Sequence, residues 1–278
     1  MTTGAAELGE IQETLLIPLF GRATETHKPD GLLHDAKAVE MVEAIDYDFA
    51  RFDGGRSLLG VVLRTSMIDA WVLDFLDKHP EGTVVEIGAG LNTRFERVDN
   101  GTLHWVDLDL PDAMALRSKF FTESDRRRMV AASVLEESWI EIVKSFPAPY
   151  FLIAEGVLIY LDESDVRRAL TLITENFPGA HLVLDTSGRW IIDHQDRHDA
   201  MKKVTARMRW ACDDPRELER WHPGLHTLES RDLSQLPDRI RPRVPLPRRI
   251  VLRAVSAIFR KRFGHYKVNF YRIDGPTN

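Results

Sequence analysis

From residue 83 onward, short apolar runs alternate with longer stretches whose apolar positions recur every three or four residues. The short runs predict strands over 83–88, 103–109, 128–134, 150–156, 181–187, 226–232 and 266–273. The longer stretches predict helices over 111–121, 136–145, 163–177 and 189–211. Asp162-Glu163-Ser164 supplies capping residues before the third of these, and Phe177-Pro178-Gly179 stops it. Such an alternation predicts an α/β chain with a Rossmann-like, doubly wound, mostly parallel sheet of seven strands.

The eighty residues ahead of the first strand carry no strand signal. Helices are predicted over Asp35–Ile45 and Leu58–Asp77, the second with Leu59, Val62, Leu63, Met67, Ala70, Trp71 and Phe75 on one face. Pro80-Glu81-Gly82 breaks the pattern. Residues 1–80 are therefore expected to form an N-terminal helical cap on a main domain of residues 81–278, the whole being one structural domain.

At the end of the first predicted strand stands Glu86-Ile87-Gly88-Ala89-Gly90, and an acidic strand end, Val106-Asp107-Leu108-Asp109, follows about twenty residues later. Glycines at a strand-to-helix turn bare the backbone to a ligand, and the later carboxylate can accept from both hydroxyls of a ribose. A dinucleotide fold wants a third glycine, where this chain has Thr93 followed by Arg94. A glycine pair behind an acid better suits S-adenosylmethionine, whose tail is an amino acid without phosphate. The ordinary reading, a βα turn that merely contains two glycines, competes with it. In a doubly wound sheet the three polar features Glu86 to Gly90, Asp109 and Glu155-Gly156 all fall at the carboxyl ends of strands, where ligands bind.

Composition changes this picture little. At 44% hydrophobic and 29% charged, the 278 residues describe an ordinary globular chain. The lone cysteine, Cys212, excludes an intramolecular disulfide framework and a cysteine-rich zinc site, and fits a reducing, cytoplasmic setting. No run is long enough for a bilayer span, and an N-terminus bearing Glu7 and Glu10 is not read as a signal peptide. The net charge of −6 is uneven: eleven Arg and Lys lie after residue 238 against one acid, Asp274. This basic stretch, helical over 240–265, could bind nucleic acid or a membrane. The stripe Ile250, Val251, Ala254 and Ile258 instead favours a helix docked on the acidic body or joining the cap. No nucleic-acid or membrane partner is expected.

Collinear segments resemble the leucine carboxyl methyltransferase family, in its branch of tetracenomycin-type polyketide O-methyltransferases. They are Val61-Val62-Leu63-Arg64-Thr65, Asp69-Ala70-Trp71, Val84 to Phe95, Trp105 to Pro111, Ala154 to Leu161, Phe177-Pro178-Gly179 and Val183-Leu184-Asp185. The resemblance covers residues 14 to 187 and fades over the last ninety. It implies a class I S-adenosylmethionine-dependent O-methyltransferase (EC 2.1.1.-) acting on a small acceptor. One departure stands out: Leu91-Asn92-Thr93-Arg94 replaces the family's usual Leu-Asp-Thr-Arg, keeping the shape but losing a charge.

Arg64 is the expected partner of the cofactor carboxylate, which a guanidinium can grip bidentately, and the resemblance points to the same residue. Glu86, Gly88, Ala89 and Gly90 would surround the tail. Alternation puts Asp107 and Asp109 on one strand face and cannot separate them; the resemblance favours Asp109, the acid before Leu110-Pro111, at the ribose, with Asp107 in reserve. Ser133, Val134 and Leu135 would end the next strand near the adenine. Glu155 ends an apolar strand, a costly place for a charge without a partner. A carboxylate acceptor needs no base, whereas a phenol gains from one, and both acceptors stay open. His194 and His198, four apart on the predicted helix, are the candidate bases; the spacing also suits a metal pair, but a solvated polar face is the simpler reading and no metal is expected. Tyr160 is a candidate wall of the acceptor pocket. The competing activities are a nicotinamide oxidoreductase, disfavoured by Thr93 and by the lack of a Tyr-x-x-x-Lys pair, and a binding module built on the basic tail.

Overall fold

A computed structural model describes residues 3–4, 10–197, 201–204, 206–247, 249–251, 254 and 265–275. The sheet strands are β1 (Thr83–Ile87), β2 (His104–Asp109), β3 (Arg127–Ala131), β4 (Tyr150–Ala154), β5 (His181–Ser187), β6 (Leu225–Arg231) and β7 (Tyr266–Ile273). Their order across the sheet is β3-β2-β1-β4-β5-β7-β6, and only β7 runs against the others. The order reverses between β1 and β4, which places a crevice at their carboxyl ends. Strands β1 and β4 are buried on both faces, hence their largely apolar composition, which Thr83 and Glu86 of β1 interrupt.

Three helices precede the sheet: α1 (Glu10–Thr26), α2 (Ala36–Ala44) and α3 (Arg56–Leu76). The predicted stripe of α3 packs Val62, Met67, Trp71 and Phe75 onto Val84, Trp105, Phe151 and Val183, so this helix belongs to one layer of the sandwich. Helix α1, which the sequence pattern does not announce because Pro18 and Gly21 interrupt it, packs with α2 in a separate cluster. That cluster takes in Leu91, Phe121, Ile159 and Met208. Two short helices, α4 (Arg94–Val98) and α5 (Pro111–Arg117), follow β1 and β2. On the other face, α6 (Ser138–Lys144) and α7 (Glu163–Asn176) bury Trp139, Val143, Leu170 and Ile173.

Two expectations are corrected. The helix predicted over 189–211 is only Arg189–Asp193, followed by single 3-10 turns at Gln195–Arg197 and Met201–Lys203. Tertiary contacts claim its backbone instead. The Gln195 amide donates to the Ile192 and Met208 carbonyls, and the Arg209 and Trp210 N–H groups donate to the Ile159 carbonyl. In the basic segment Ile250 and Val251, expected to dock, are 59% and 58% exposed, and Ile258 lies outside the described residues. Its start is nonetheless tied to the acidic body, through Arg239 to Asp74 of α3 and to Asp77 just beyond it.

No helix among the described residues is long and apolar enough to cross a membrane. Cys212 is buried among the core side chains, and burial pushes its thiol up to about 12, which makes it inert.

Candidate functional site

The turn after β1 is built on two glycines in the left-handed region, with φ of 65° at Gly88 and 44° at Gly90. Gly88 and Ala89 donate to the Leu108 carbonyl at 2.7 and 3.1 Å, which ties the turn to β2. There is no room for side chains here. A Cβ on Gly88 would stand 2.2 Å from Val157 Cγ2, and one on Gly90 would stand 2.7 Å from Leu15 Cδ2 of α1.

Alternation leaves Asp107 and Asp109 on one strand face; their partners separate them. Asp107 is fully buried and accepts from Trp105 Nε1, Arg117 Nη2 and Arg127 Nε, each at 2.9 Å. It is committed to a structural ion cluster. Asp109 is partly exposed at the strand end, and its oxygens accept from the Gly90 N–H at 2.6 Å and the Leu110 N–H at 2.7 Å. Each oxygen keeps lone-pair capacity for a further donor. Burial raises its carboxyl above the usual range, against the two N–H groups that lower it.

Beyond the turn lies a buried ionic network that joins six elements, α1, α3, α4, β1, β5 and β7. Arg94, the first residue of α4, is entirely enclosed. Its guanidinium donates to Asp69 of α3 at 2.7 Å, to both oxygens of Glu86 and to Glu155. Glu155 also accepts from Arg64 Nε at 2.7 Å and from the Thr65 hydroxyl at 2.9 Å. Burial alone would lift its carboxyl, but Arg64 and Arg94 hold it well below the carboxylate range. At Glu86 burial prevails over Arg94 and the carboxyl is raised. From Arg64 the chain of contacts runs to Tyr266 and Asp185; through Asp69, Arg97 and Asp35 it reaches Arg22 of α1.

Asn92 explains its own identity in this setting. Its amide donates to Glu86 at 2.9 Å and, more weakly, to Glu155 at 3.5 Å, which a carboxylate at this position could not do. Its Oδ1 is buried without a hydrogen-bond partner. A buried acceptor left unpaired is costly, so this atom marks a place where a donor such as an ammonium would fit.

The other expected residues fall out unevenly. Tyr160, in the 3-10 turn Leu158–Tyr160 after β4, hydrogen-bonds Met201 Sδ at 3.7 Å, and burial pushes its hydroxyl up to about 12. Ser133, Val134 and Leu135 lie in a turn beyond β3, which ends at Ala131; there the Ser133 hydroxyl accepts from the Leu135 N–H, and Val134 enters the core. His194 sits in a turn just past the short helix, stacked on Trp190 at 4.6 Å with Nδ1 2.8 Å from the Trp190 carbonyl. His198 lies outside the described residues. Among the described residues no three His, Cys, Asp or Glu cluster as metal ligands. Sequence reasoning missed Arg94 and Tyr266. The signal for Arg94 was its place right after the glycine turn, where it was noted behind Thr93 and in the segment matching the family's Leu-Asp-Thr-Arg but given no role.

The model of the leucine carboxyl methyltransferase family matches residues 16–174. The tetracenomycin polyketide synthesis O-methyltransferase TcmP of Streptomyces glaucescens is 34% identical over 221 residues, covering 79% of this chain and 82% of that protein. The S-adenosyl-L-methionine-dependent methyltransferase dpfgK of Gibberella zeae is 26% identical over 245 residues, covering 80% and 82%. Among solved structures, a duf574 family protein from Streptomyces avermitilis shares the fold with a TM-score of 0.55 at 14% identity, over 86% of this chain and 89% of that one. The chain belongs to the leucine carboxyl methyltransferase family and is an S-adenosylmethionine-dependent methyltransferase.

Proposed function

We propose that this enzyme methylates the carboxylate of a small, aromatic polyketide-type acid, giving a methyl ester. The observation that carries this reading is the protonation chemistry at the strand ends. Tyr160 is held protonated to about 12, burial raises the Tyr266 hydroxyl well above its ordinary value, and Glu155 is locked between two arginines. None of these can take a proton from a phenol near neutrality, and a carboxylate acceptor, ionised already, needs no base. The family name and the polyketide relative agree with such an acceptor. A buried, inert Cys212 suits a reducing cytoplasm.

In this reading Arg64 binds the carboxylate of the cofactor tail, Asn92 Oδ1 takes its ammonium, and the bared backbone at Gly88 and Gly90 lets the tail approach. Asp109 holds the ribose hydroxyls. Ser133 and Val134 line the adenine side and Tyr160 the acceptor side. Bound S-adenosylmethionine supplies an electrophilic methyl group. The protein supplies alignment of the acceptor oxygen and exclusion of water, and alignment alone can contribute much of the acceleration.

With an aromatic carboxylic acid as acceptor, kcat should stay flat from about pH 6 to 9, with His194→Ala no slower than the wild type. A rate that falls on acidification through neutrality, and a profile flattened by His194→Ala, would instead show a base at work and contradict the base-free reading.

The two strand-end acids should also separate in experiment. Asp109→Asn should weaken S-adenosylhomocysteine by about 1–3 kcal/mol with little change in stability. Asp107→Asn should do the reverse, lowering unfolding free energy by about 3–5 kcal/mol because Arg117 and Arg127 lose their buried counter-charge. Calorimetric titration and denaturant unfolding of both variants decide the matter; exchanged outcomes would move the ribose site two residues back.

A further inference from the structure

We propose that Tyr266, anchored on Asp185, is a positioning residue that aims Arg64 at the amino-acid tail of the cofactor. The inference rests on the reading that Arg64 holds the tail carboxylate. Tyr266 is the first residue of β7 and pairs in register with Ser187 at the end of β5. The antiparallel strand therefore delivers it, from the far end of the sequence, to the same sheet edge as the glycine turn.

Its hydroxyl is used in both directions. It donates to Asp185 Oδ2 at 2.6 Å and accepts from Arg64 Nη1 at 2.9 Å. Asp185 lies 3.6 Å from Arg64 Nη1, too far for a hydrogen bond, so the phenol bridges the two charges. The other oxygen of Asp185 accepts the Gly156 N–H at 2.6 Å, which joins the Tyr266 anchor to the turn after β4.

Glu155 alone, bonded to Arg64 Nε, would leave the guanidinium free to swing about that contact. The second bond, at Nη1, fixes its plane. Nη2 is then the amino group left over. It makes no hydrogen bond to the described residues, and both it and Nη1 stand 3.4 Å from where a Cβ of Gly156 would be. Gly156 has φ of 67°, and the absence of a side chain there keeps the space before Nη2 open. One guanidinium thus has two nitrogens pinned and the third presented.

The test compares two ligands that differ by the tail. S-adenosylhomocysteine carries the carboxylate; methylthioadenosine keeps the nucleoside and sulfur but lacks the amino-acid group. Tyr266→Phe keeps the ring and removes the bridge. It should weaken S-adenosylhomocysteine roughly tenfold, about 1.4 kcal/mol, and leave methylthioadenosine unchanged. KM for S-adenosylmethionine should rise in step, while kcat at saturation changes little. Equal weakening of both ligands would mean a general structural role and overturn the proposal, as would unchanged binding of both. Arg64→Ala, run beside it, tests the underlying reading separately. It should lose S-adenosylhomocysteine selectively, and if it does not, Arg64 is not the carboxylate partner and the assignment of the tail fails before the role of Tyr266 arises.

Discussion

Arg94→Met should lower the unfolding free energy by about 3–5 kcal/mol at neutral pH, the range seen when one partner of a buried ion pair is removed. The reason is the number of charges that depend on it. Glu86 and Glu155 lie beside it in the interior and Asp69 at its edge, and Arg94 bonds all three from a fully enclosed position. Methionine fills much of the volume but leaves the carboxylates short of compensation. The effect should depend on pH with a definite sign. In the wild type Glu155 is held well below its unfolded value, so its contribution is full above about pH 5 and fades progressively in stronger acid. In the variant the stranded carboxylates relieve their penalty by protonation. The gap between the two proteins should therefore be widest near pH 7 and narrow below about pH 5. Urea unfolding at both pH values checks this, and a gap that widened in acid would contradict it.

Gly88→Ala is expected to be nearly as damaging, through the backbone. The position has φ of 65°, which costs a non-glycine residue about 1–2 kcal/mol. The added methyl would also meet Val157 Cγ2 at 2.2 Å, and overpacking of this kind costs about 1–3 kcal/mol. A shift of the Val157 side chain is the one escape, and it moves the turn after β4 that carries Glu155 and Gly156. Cofactor affinity should accordingly fall further than stability does. Thermal melting together with titration of S-adenosylhomocysteine measures both quantities, and a variant with wild-type values in each would remove the glycine turn from the cofactor site.

The parallel strands were legible because burial on both faces demands largely apolar runs, and 181–187 coincides with β5; 266–273 also coincides with the antiparallel β7, whose pattern is mixed. The glycine turn, Asp109 and Glu155 were legible for a related reason: a charge at the end of an apolar strand is costly unless a counter-ion or a ligand meets it. Three things were hidden. Helix α1 is broken in pattern by Pro18, and its place over Gly90 comes from tertiary packing of Leu15. The stretch 189–211 carries helical periodicity, yet its backbone is satisfied by Ile159 and Gln195, contacts that no local pattern encodes. Tyr266 stands 202 residues from Arg64, and only the antiparallel insertion of β7 beside β5 brings them together. Asp107 shows the opposite limit. Spacing made it equal to Asp109, and only its buried partners Arg117 and Arg127 tell a structural acid from an accessible one.

The most direct measurement follows the transferred methyl group into its product. The enzyme is incubated with S-adenosylmethionine tritiated in the methyl group and an aromatic polyketide acid that carries both a carboxyl and a phenolic hydroxyl. The product is then treated with mild alkali. A methyl ester hydrolyses and releases its label as volatile methanol, whereas an aryl methyl ether keeps it. The proposed carboxyl methylation predicts release of essentially all the label; label retained in the alkali-stable product would contradict it.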